Sequence, residues 1–331
     1  MKFIDNKGIT DPTINLALEE YVLQNFGEQD TYLLFYINKP SIIIGRNQNS
    51  VEEINTEYVD ENGIKVVRRL SGGGAVYHDE GNLNFSFITK DDGESFHNFA
   101  KFTQPMVEAL NKLGVPAELK GRNDLVVEGR KISGNAMFST KGRMFSHGTL
   151  MLDSEIEHVV AALNVNKEKI TSKGIKSIRS RVANISEFLE EKIKMDQFKE
   201  TILRYVFDVE DVKDVPRYEL TEQDWENVHK ISEERYQKWD WNYGKSPSFN
   251  VQESHKFDAG LVDVRLDVKK GNIENCKIYG DFFGVGSVEV IEDKLTGIRH
   301  ERKAIEAALE DVDVPHYLGK ISKEDFINLI Y

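Results

Sequence analysis

The 331-residue chain is 40% hydrophobic, enough for a substantial core in one large domain or two ordinary ones. A formal net charge of −13 argues against nonspecific binding to nucleic acid or to an anionic membrane. The only cysteine is Cys276, which excludes an internal disulfide and a site of clustered thiolates.

The opening MKFIDNKGIT has no apolar signal core, and runs such as YLLFYI are far shorter than the roughly 20 residues of a membrane span, so a cytoplasmic chain is expected. Asp11 and Pro12 read as the N-cap and first position of an amphipathic helix, with Ile14, Ala17, Leu18, Tyr21 and Val22 at helical spacing. Strand-like runs follow at Tyr32 to Ile37, Ile42 to Ile44, Lys65 to Val67 and Leu83 to Ile88. No crossover helices separate them, so the sheet is expected to be largely antiparallel.

Between the last two runs lies RRLSGGGAVYHDEGN. Gly72, Gly73 and Gly74 remove every Cβ, which lets backbone N–H groups approach a ligand, and Arg68 and Arg69 supply forked donors suited to carboxylate or phosphate. Two readings stand side by side: an anion cradle, or a tight strand connection with solvated arginines. Neither common glycine motif fits. Ala75, Val76 and Tyr77 follow where a phosphate loop needs Lys-Ser/Thr, and Tyr77 stands where a dinucleotide fingerprint needs Gly or Ala. A nucleotide bound here would lie on a sheet, without a crossover helix dipole.

Ser95 to Leu113 reads as a helix closed by Gly114, and DLVVEGRKISGNAMF as two short strands around Glu128 and Gly129. Lys131 is followed by the small residues Ser133, Gly134, Asn135 and Ala136, leaving room for a ligand beside a fixed cation, although most hairpin lysines are merely solvated. Asp124 could hold Mg²⁺ or a nucleotide donor, or cap an ordinary turn. His78 and His147 lack metal-site spacing and a third ligand. Further helices are expected at Asp153 to Leu163, Ser186 to Leu189 and Phe198 to Phe207. Thr221 and Asp224 form a capping box for a helix running toward Trp239. Thr171 to Arg181 carries Lys173, Lys176, Arg179 and Arg181 without an acidic residue, as either a solvated loop or a flap hinged at Gly174.

WDWNYGKSPSFNVQES has the composition of a linker, so the break is expected near Ser246 to Ser254, giving domains 1–248 and 249–331. In the second domain Val262, Val264, Leu266 and Val268 alternate with polar residues, KKGN turns into a second strand, and helices are expected at His300 to Leu309 and Ser322 to Ile330. It reads as a small α+β unit.

Taken in order, RRLSGGGAVYHDEGN, GRNDLVV, RKISGNA, HGTLML, KGIKSIRSRVANI and WDWNYGKSP resemble the lipoate-protein ligase family, of the A type with a C-terminal accessory domain. The resemblance covers most of the chain. It implies an α+β fold, with a mainly antiparallel sheet of the biotin/lipoate ligase type, like class II aminoacyl-tRNA synthetases, plus the small C-terminal domain. It implies ATP-dependent activation of lipoate to lipoyl-AMP and transfer to a lysine of lipoyl-domain proteins, such as 2-oxoacid dehydrogenase acyltransferase subunits and the H protein of glycine cleavage.

By the same resemblance Lys131 is the catalytic residue, and ATP is held by Arg69, Gly73, Gly74, Ala75, Val76, Tyr77, Asp124, Lys131, Lys173 and Lys176, largely through backbone in the loop. Lipoate is met by Arg68, Gly72, Lys131, Gly134 and His147, and Mg²⁺ by Asp124. Many relatives carry two histidines before the GTLL motif, where this chain has Ser146 and His147. The alternatives are an octanoyl or lipoyl transferase using a carrier-bound acyl group, for which Cys276 is poorly placed, and a non-catalytic lipoate-binding protein. A biotin ligase is disfavoured because its glycine and arginine loop differs.

Overall fold

A computed structural model describes residues 1–27, 30–163, 180–243, 250–269 and 271–331. Its strands are β1 (Lys2–Asp5), β2 (Tyr32–Tyr36), β3 (Ser41–Ile44), β4 (Lys65–Arg68), β5 (Val76–His78), β6 (Asn82–Lys90), β7 (Glu118–Lys120), β8 (Asp124–Val127), β9 (Arg130–Thr140), β10 (Arg143–Met151), β11 (Val251–Phe257), β12 (Gly260–Lys269) and β13 (Asn272–Gly280).

Seven of these make one sheet in the order β1-β2-β6-β10-β9-β8-β7. In this sheet only the β1–β2 pair, joined by the helix Pro12–Asn25, is parallel; every other neighbour is antiparallel, so the sheet is mainly antiparallel as expected. The sheet is buried on both faces, which is why β2 reads YLLFY with no polar alternation. On one face Leu83, Phe85 and Phe87 pack with Phe102, Met106 and Leu110 of the helix Phe99–Lys112. On the other, Leu34, Tyr36 and Phe145 pack with Leu16, Leu18 and Val22 of the helix Pro12–Asn25.

That helix differs from the amphipathic element expected. It is buried nearly all round, including Asn15, Glu19 and Glu20, because the segment 222–236 covers its outer side. The polar side chains that made it look amphipathic are bonded internally: Glu20 receives Tyr236 Oη at 2.8 Å and Arg235 at 2.9 Å.

A second sheet, β4-β3-β5, leans on the same face. Contrary to the expectation of no crossover helices, β3 runs parallel to β4 through the helices Ser50–Glu53 and Thr56–Glu61. β3 is antiparallel to β5, so the connection from Arg68 to Val76 must pass from one edge of β3 to the other. The glycine segment is this crossing. It is tied across the end of β3 by Arg69 N to Ile44 O at 2.9 Å and Arg46 N to Ser71 O at 2.9 Å.

The sheet β11-β12-β13 and the helices Glu289–Leu295, Arg302–Ala308, Val314–Leu318 and Lys323–Ile330 enclose a separate core around Val264, Leu266, Ile278, Phe282 and Phe326. This unit touches the main one beside the glycine segment, through Gly280 N to Asn47 O at 2.7 Å and Arg122 to the Ala259 carbonyl. The expected domain break falls partly on 244–249, outside the described residues. Other elements also differ from expectation. β9 is 11 residues long, because its far half pairs with β10. The helix heading for Trp239 stops at Ile231, passes through a π-turn at Ser232–Tyr236 and restarts at Trp239–Asn242.

Candidate active site

The crossing of β3 leaves a cavity between the two sheets, roofed by the helix Pro12–Asn25 and bounded by Gly73, Gly74, Ala75 and Val76. The glycines there have different reasons. A Cβ on Gly72 would run into the carbonyl of Phe282, whereas Gly73, at φ +89°, would put one 2.9 Å from both Arg69 Nη2 and the Phe283 ring. Around Gly74 nothing lies within 4 Å of such a Cβ, so that part of the loop presents bare backbone to open space.

Both arginines are buried, and burial lowers each pKa to about 10, which leaves them charged at neutral pH. Arg69 lines the cavity and braces the loop from beneath: Nε donates to Ser71 Oγ at 3.0 Å, Nη1 to Ile43 O at 3.0 Å, and Nη2 to Gly72 O at 2.6 Å and Gly74 O at 2.8 Å. Arg68, expected to meet substrate, is turned elsewhere. Its guanidinium is spent on the carbonyls of Gly45, Arg46, Gln48, Trp241 and Asn242 and on Ser50 Oγ. It pins segment 45–50 to the helix Trp239–Asn242 and leaves no donor for a substrate anion. Tyr77 also faces away, because alternation along β5 sends Val76 and His78 into the cavity and stacks Tyr77 over His158 at 6.3 Å. Only its backbone can serve a ligand in the cavity.

Lys131 stands at the mouth, on β9, with Nζ 2.8 Å from Asp124 Oδ1 of the neighbouring β8. A register shift between Leu125 and Val126 aligns the two strands here. Gly134 is small because a Cβ there would lie 3.1 Å from Lys131 Nζ; its absence lets the lysine fold back over the strand. The backbone of Lys131 bonds Arg181 O at 2.7 Å and Ala183 N at 2.9 Å, so the chain returns beside the lysine at the end of the basic stretch. Lys173, Gly174, Lys176 and Arg179 lie outside the described residues.

The buried end of the cavity is apolar on Leu16, Tyr36 and Ile43 and polar on His78, Asn84 and His147. His147 is fixed at both nitrogens, by Glu19 at Nδ1 (3.0 Å) and Ser71 Oγ at Nε2 (2.8 Å). Nδ1–H donates to the Glu19 carboxylate, and Ser71 Oγ links His147 Nε2 to Arg69, from whose Nε it accepts. A continuous chain from Glu19 to Arg69 therefore holds the loop in place. From the small unit, Phe283 closes another wall, packed edge-on to Phe99 at 5.8 Å and under Arg122 at 4.4 Å.

Of the expected site residues, the structure brings Arg69, Gly73, Gly74, Ala75, Val76, Lys131, Gly134 and His147 around this one cavity, with Asp124 paired to Lys131. Gly72 serves packing. Glu19, His78 and Phe283 were missed. The buried acidic pair inside NLALEEYVL was the available signal for Glu19; nothing local marked Phe283.

Carboxylate Asp124 is a hard oxygen donor of the kind that binds Mg²⁺ together with substrate phosphates. No group of three or more His, Cys, Asp or Glu suited to a metal occurs among the described residues. A Mg²⁺ ion here would therefore depend on phosphate oxygens as well as Asp124.

The profile of the lipoyl protein ligase A/B catalytic domain matches residues 11–207, and that of the bacterial lipoate protein ligase C-terminus matches 246–330. Lipoate-protein ligase LplJ of Bacillus subtilis is 65% identical over 331 residues, covering 100% of both chains. Among solved structures, P. falciparum LipL1 in complex with lipoate shares the fold, with a TM-score of 0.80 at 23% identity over 99% of this chain and 97% of its own. A lipoate-protein ligase A bound with ATP is 27% identical, with a TM-score of 0.62 over 73% of this chain and 98% of its own.

Proposed function

The chain belongs to the lipoate-protein ligase family, and from that premise we propose how its cavity carries out ligation. It is an enzyme, and its reaction is the ATP-dependent joining of lipoate to protein. Its acceptors are lipoyl-domain proteins, and we assign 2-oxoacid dehydrogenase acyltransferase subunits and the glycine cleavage H protein as the specific ones. Among the described residues no helix is long and apolar enough to cross a membrane; a cytoplasmic location is part of the proposal.

Lipoate enters tail first, its ring and chain against Leu16, Tyr36 and Ile43, and its carboxylate toward Lys131. The phosphates of ATP lie along the backbone of Gly73 to Val76, whose bare edge beside Gly74 admits them. A carboxylate oxygen bonds to the α-phosphorus as the bond to the β-phosphate oxygen breaks, releasing pyrophosphate and forming lipoyl-AMP. An acceptor lysine amine then bonds to the acyl carbon, AMP leaves with the electron pair of the acyl–oxygen bond, and the amine nitrogen gives up its proton to solvent as the amide forms. Lys131 offsets the charge of the two reacting anions and grips the adenylate, a difference in binding that favours the transition state. Arg69 acts on the phosphates through the loop that it braces. Mg²⁺ held by Asp124 and phosphate would neutralise further negative charge. Lys173 and Lys176 are proposed as additional phosphate contacts.

The observation that carries this reading is the position of Lys131, a cation at the mouth of a cavity with an apolar buried end, matching an amphipathic acid in polarity. Transfer from a thioester through cysteine is disfavoured. Cys276 is 1% exposed in the separate C-terminal core, where burial raises its thiol pKa. Lipoate-dependent exchange of pyrophosphate into ATP, measured without acceptor for wild type and Lys131→Ala, tests the proposal. Exchange in the wild type and its loss in the mutant support adenylation at Lys131; no exchange in wild type supplied with Mg²⁺ refutes it.

A further inference from the structure

Strand β11 forms one edge of the C-terminal sheet, bonded only to β12 among the described residues. Gln252 to Lys256 are exposed on both faces, and only the ends, Val251 and Phe257, pack against the C-terminal core. The direction of its backbone groups follows from β12. Leu261 donates its N–H to Asp281 Oδ1 at 2.5 Å, and its carbonyl accepts from Asp281 N at 3.2 Å, both on the β13 side. Its cross-strand neighbour Lys256 is therefore not bonded to it, and by antiparallel alternation the N–H and C=O of Gln252, Ser254 and Lys256 point outward, away from β12. The pairing with β12 has no bulge and the strand no proline, so two of the usual devices that blunt an edge are missing. Glu253, His255 and Lys256 are in no ion pair among the described residues.

We propose that β11 is an interface between two copies of this chain, joined antiparallel about a two-fold axis at Ser254, so that two three-stranded sheets become one continuous sheet. The strand VQESHKF is complementary to itself in that register. Ser254 meets the partner's Ser254, Gln252 meets the partner's Lys256, and the outward backbone groups of these residues close the ladder. Between them lie the pairs in which antiparallel strands approach most closely, about 4.5 Å between Cα atoms. These are Glu253 with the partner's His255 and Val251 with the partner's Phe257, each formed twice by symmetry. An acidic group thus meets an imidazole, and the two half-buried apolar ends cover each other. An axis at Lys256 would oppose lysine to lysine, and one at Gln252 would oppose Val251 to Glu253. With 7 residues on each side, well below the roughly 20 of a standard interface, the dimer is weak, with a Kd in the micromolar range.

The test is the mass of the full chain in solution, read by sedimentation equilibrium from about 1 to 100 μM, a span that brackets a micromolar Kd. The wild type is expected to rise from the 37.9 kDa of one chain toward twice that value. His255→Glu sets Glu against Glu at both symmetric positions and should weaken association by about tenfold or more. Adding Glu253→His exchanges the two residues and restores the pair, so the double variant should associate like the wild type. Ser254→Pro removes an outward N–H without touching the bonds to β12 and should also give a monomer. Should Ser254→Pro fail to fold, the exchange at positions 253 and 255 still decides, because both side chains are exposed. A wild type that stays at the mass of one chain throughout, or association unaffected by His255→Glu, overturns the proposal. Association lost in His255→Glu and not regained in the double variant overturns the register and the proposal with it.

Discussion

Lys131 Nζ lies 2.8 Å from Asp124 Oδ1, with the two side chains 39% and 38% exposed. A pair this open contributes at most about 1 kcal/mol, so an incoming carboxylate or phosphate can take the ammonium from Asp124 at little cost. We expect Lys131→Ala to lower pyrophosphate exchange about 10²- to 10³-fold, as for loss of one preorganised charge-stabilising donor. Asp124→Asn should raise the Mg²⁺ concentration needed for half-maximal exchange without weakening lipoate binding. Unchanged Mg²⁺ dependence would remove Asp124 from the metal.

Gly73 has φ +89°, with Arg69 and Phe283 where a side chain would go. Gly73→Ala should destabilise the loop by about 1–3 kcal/mol from backbone strain alone. The expected signature is a raised KM for ATP together with a lower Tm. Wild-type values for both would show that the loop yields easily.

Protonation of His78 is opposed in the folded chain, where its pKa is about 3 against 6.5 for an ordinary histidine. Below pH 6.5 the unfolded chain takes up a proton that the folded one refuses, so stability falls as pH drops toward 3. The slope from this group is at most about 1.4 kcal/mol per pH unit. Melting curves from pH 7.5 to 5 should show wild type losing more stability than His78→Gln. Parallel losses would mean that the group does not control acid sensitivity.

Arg68 donates to carbonyls from segments 45–48 and 241–242, tying regions almost 200 residues apart in sequence. A lysine offers a point charge in place of this planar fork and strands several buried carbonyls. We expect Arg68→Lys to cost about 3 kcal/mol or more in stability, seen by denaturant unfolding, while KM for lipoate stays near wild type. A large rise in KM at unchanged stability would return Arg68 to the substrate site.

Cys276 is enclosed by the C-terminal core. Cys276→Ala should retain both exchange and transfer, and thiol-alkylating reagents should leave the native enzyme active. Loss of transfer with exchange preserved would revive a thioester step.

The glycine run and the lysine with small residues after it were legible in the sequence, because each is a local pattern whose chemistry survives without knowledge of the fold. The crossover helices Ser50–Glu53 and Thr56–Glu61 were not, because they are only 4 and 6 residues long. Nor were the roles of neighbouring arginines. Arg68 and Arg69 look equivalent as letters, yet alternation at the end of β4 turns one toward the helix Trp239–Asn242 and the other under the loop. The helix Pro12–Asn25 looked half-exposed because its polar residues have partners more than 100 positions away.

By itself the sequence determined which residue types could form an anion site, roughly where most of the strands and longer helices lie, and which family pattern the ordered motifs follow. These depend on backbone freedom, side-chain chemistry and short-range spacing. Only the tertiary structure decided that Glu19 meets His147, that Asn38 meets the buried His78 at 3.0 Å, and that Phe283 of the C-terminal unit walls the same cavity. Those contacts span 40 to 200 residues of chain, and their partners are chosen by how two sheets and a helix pack.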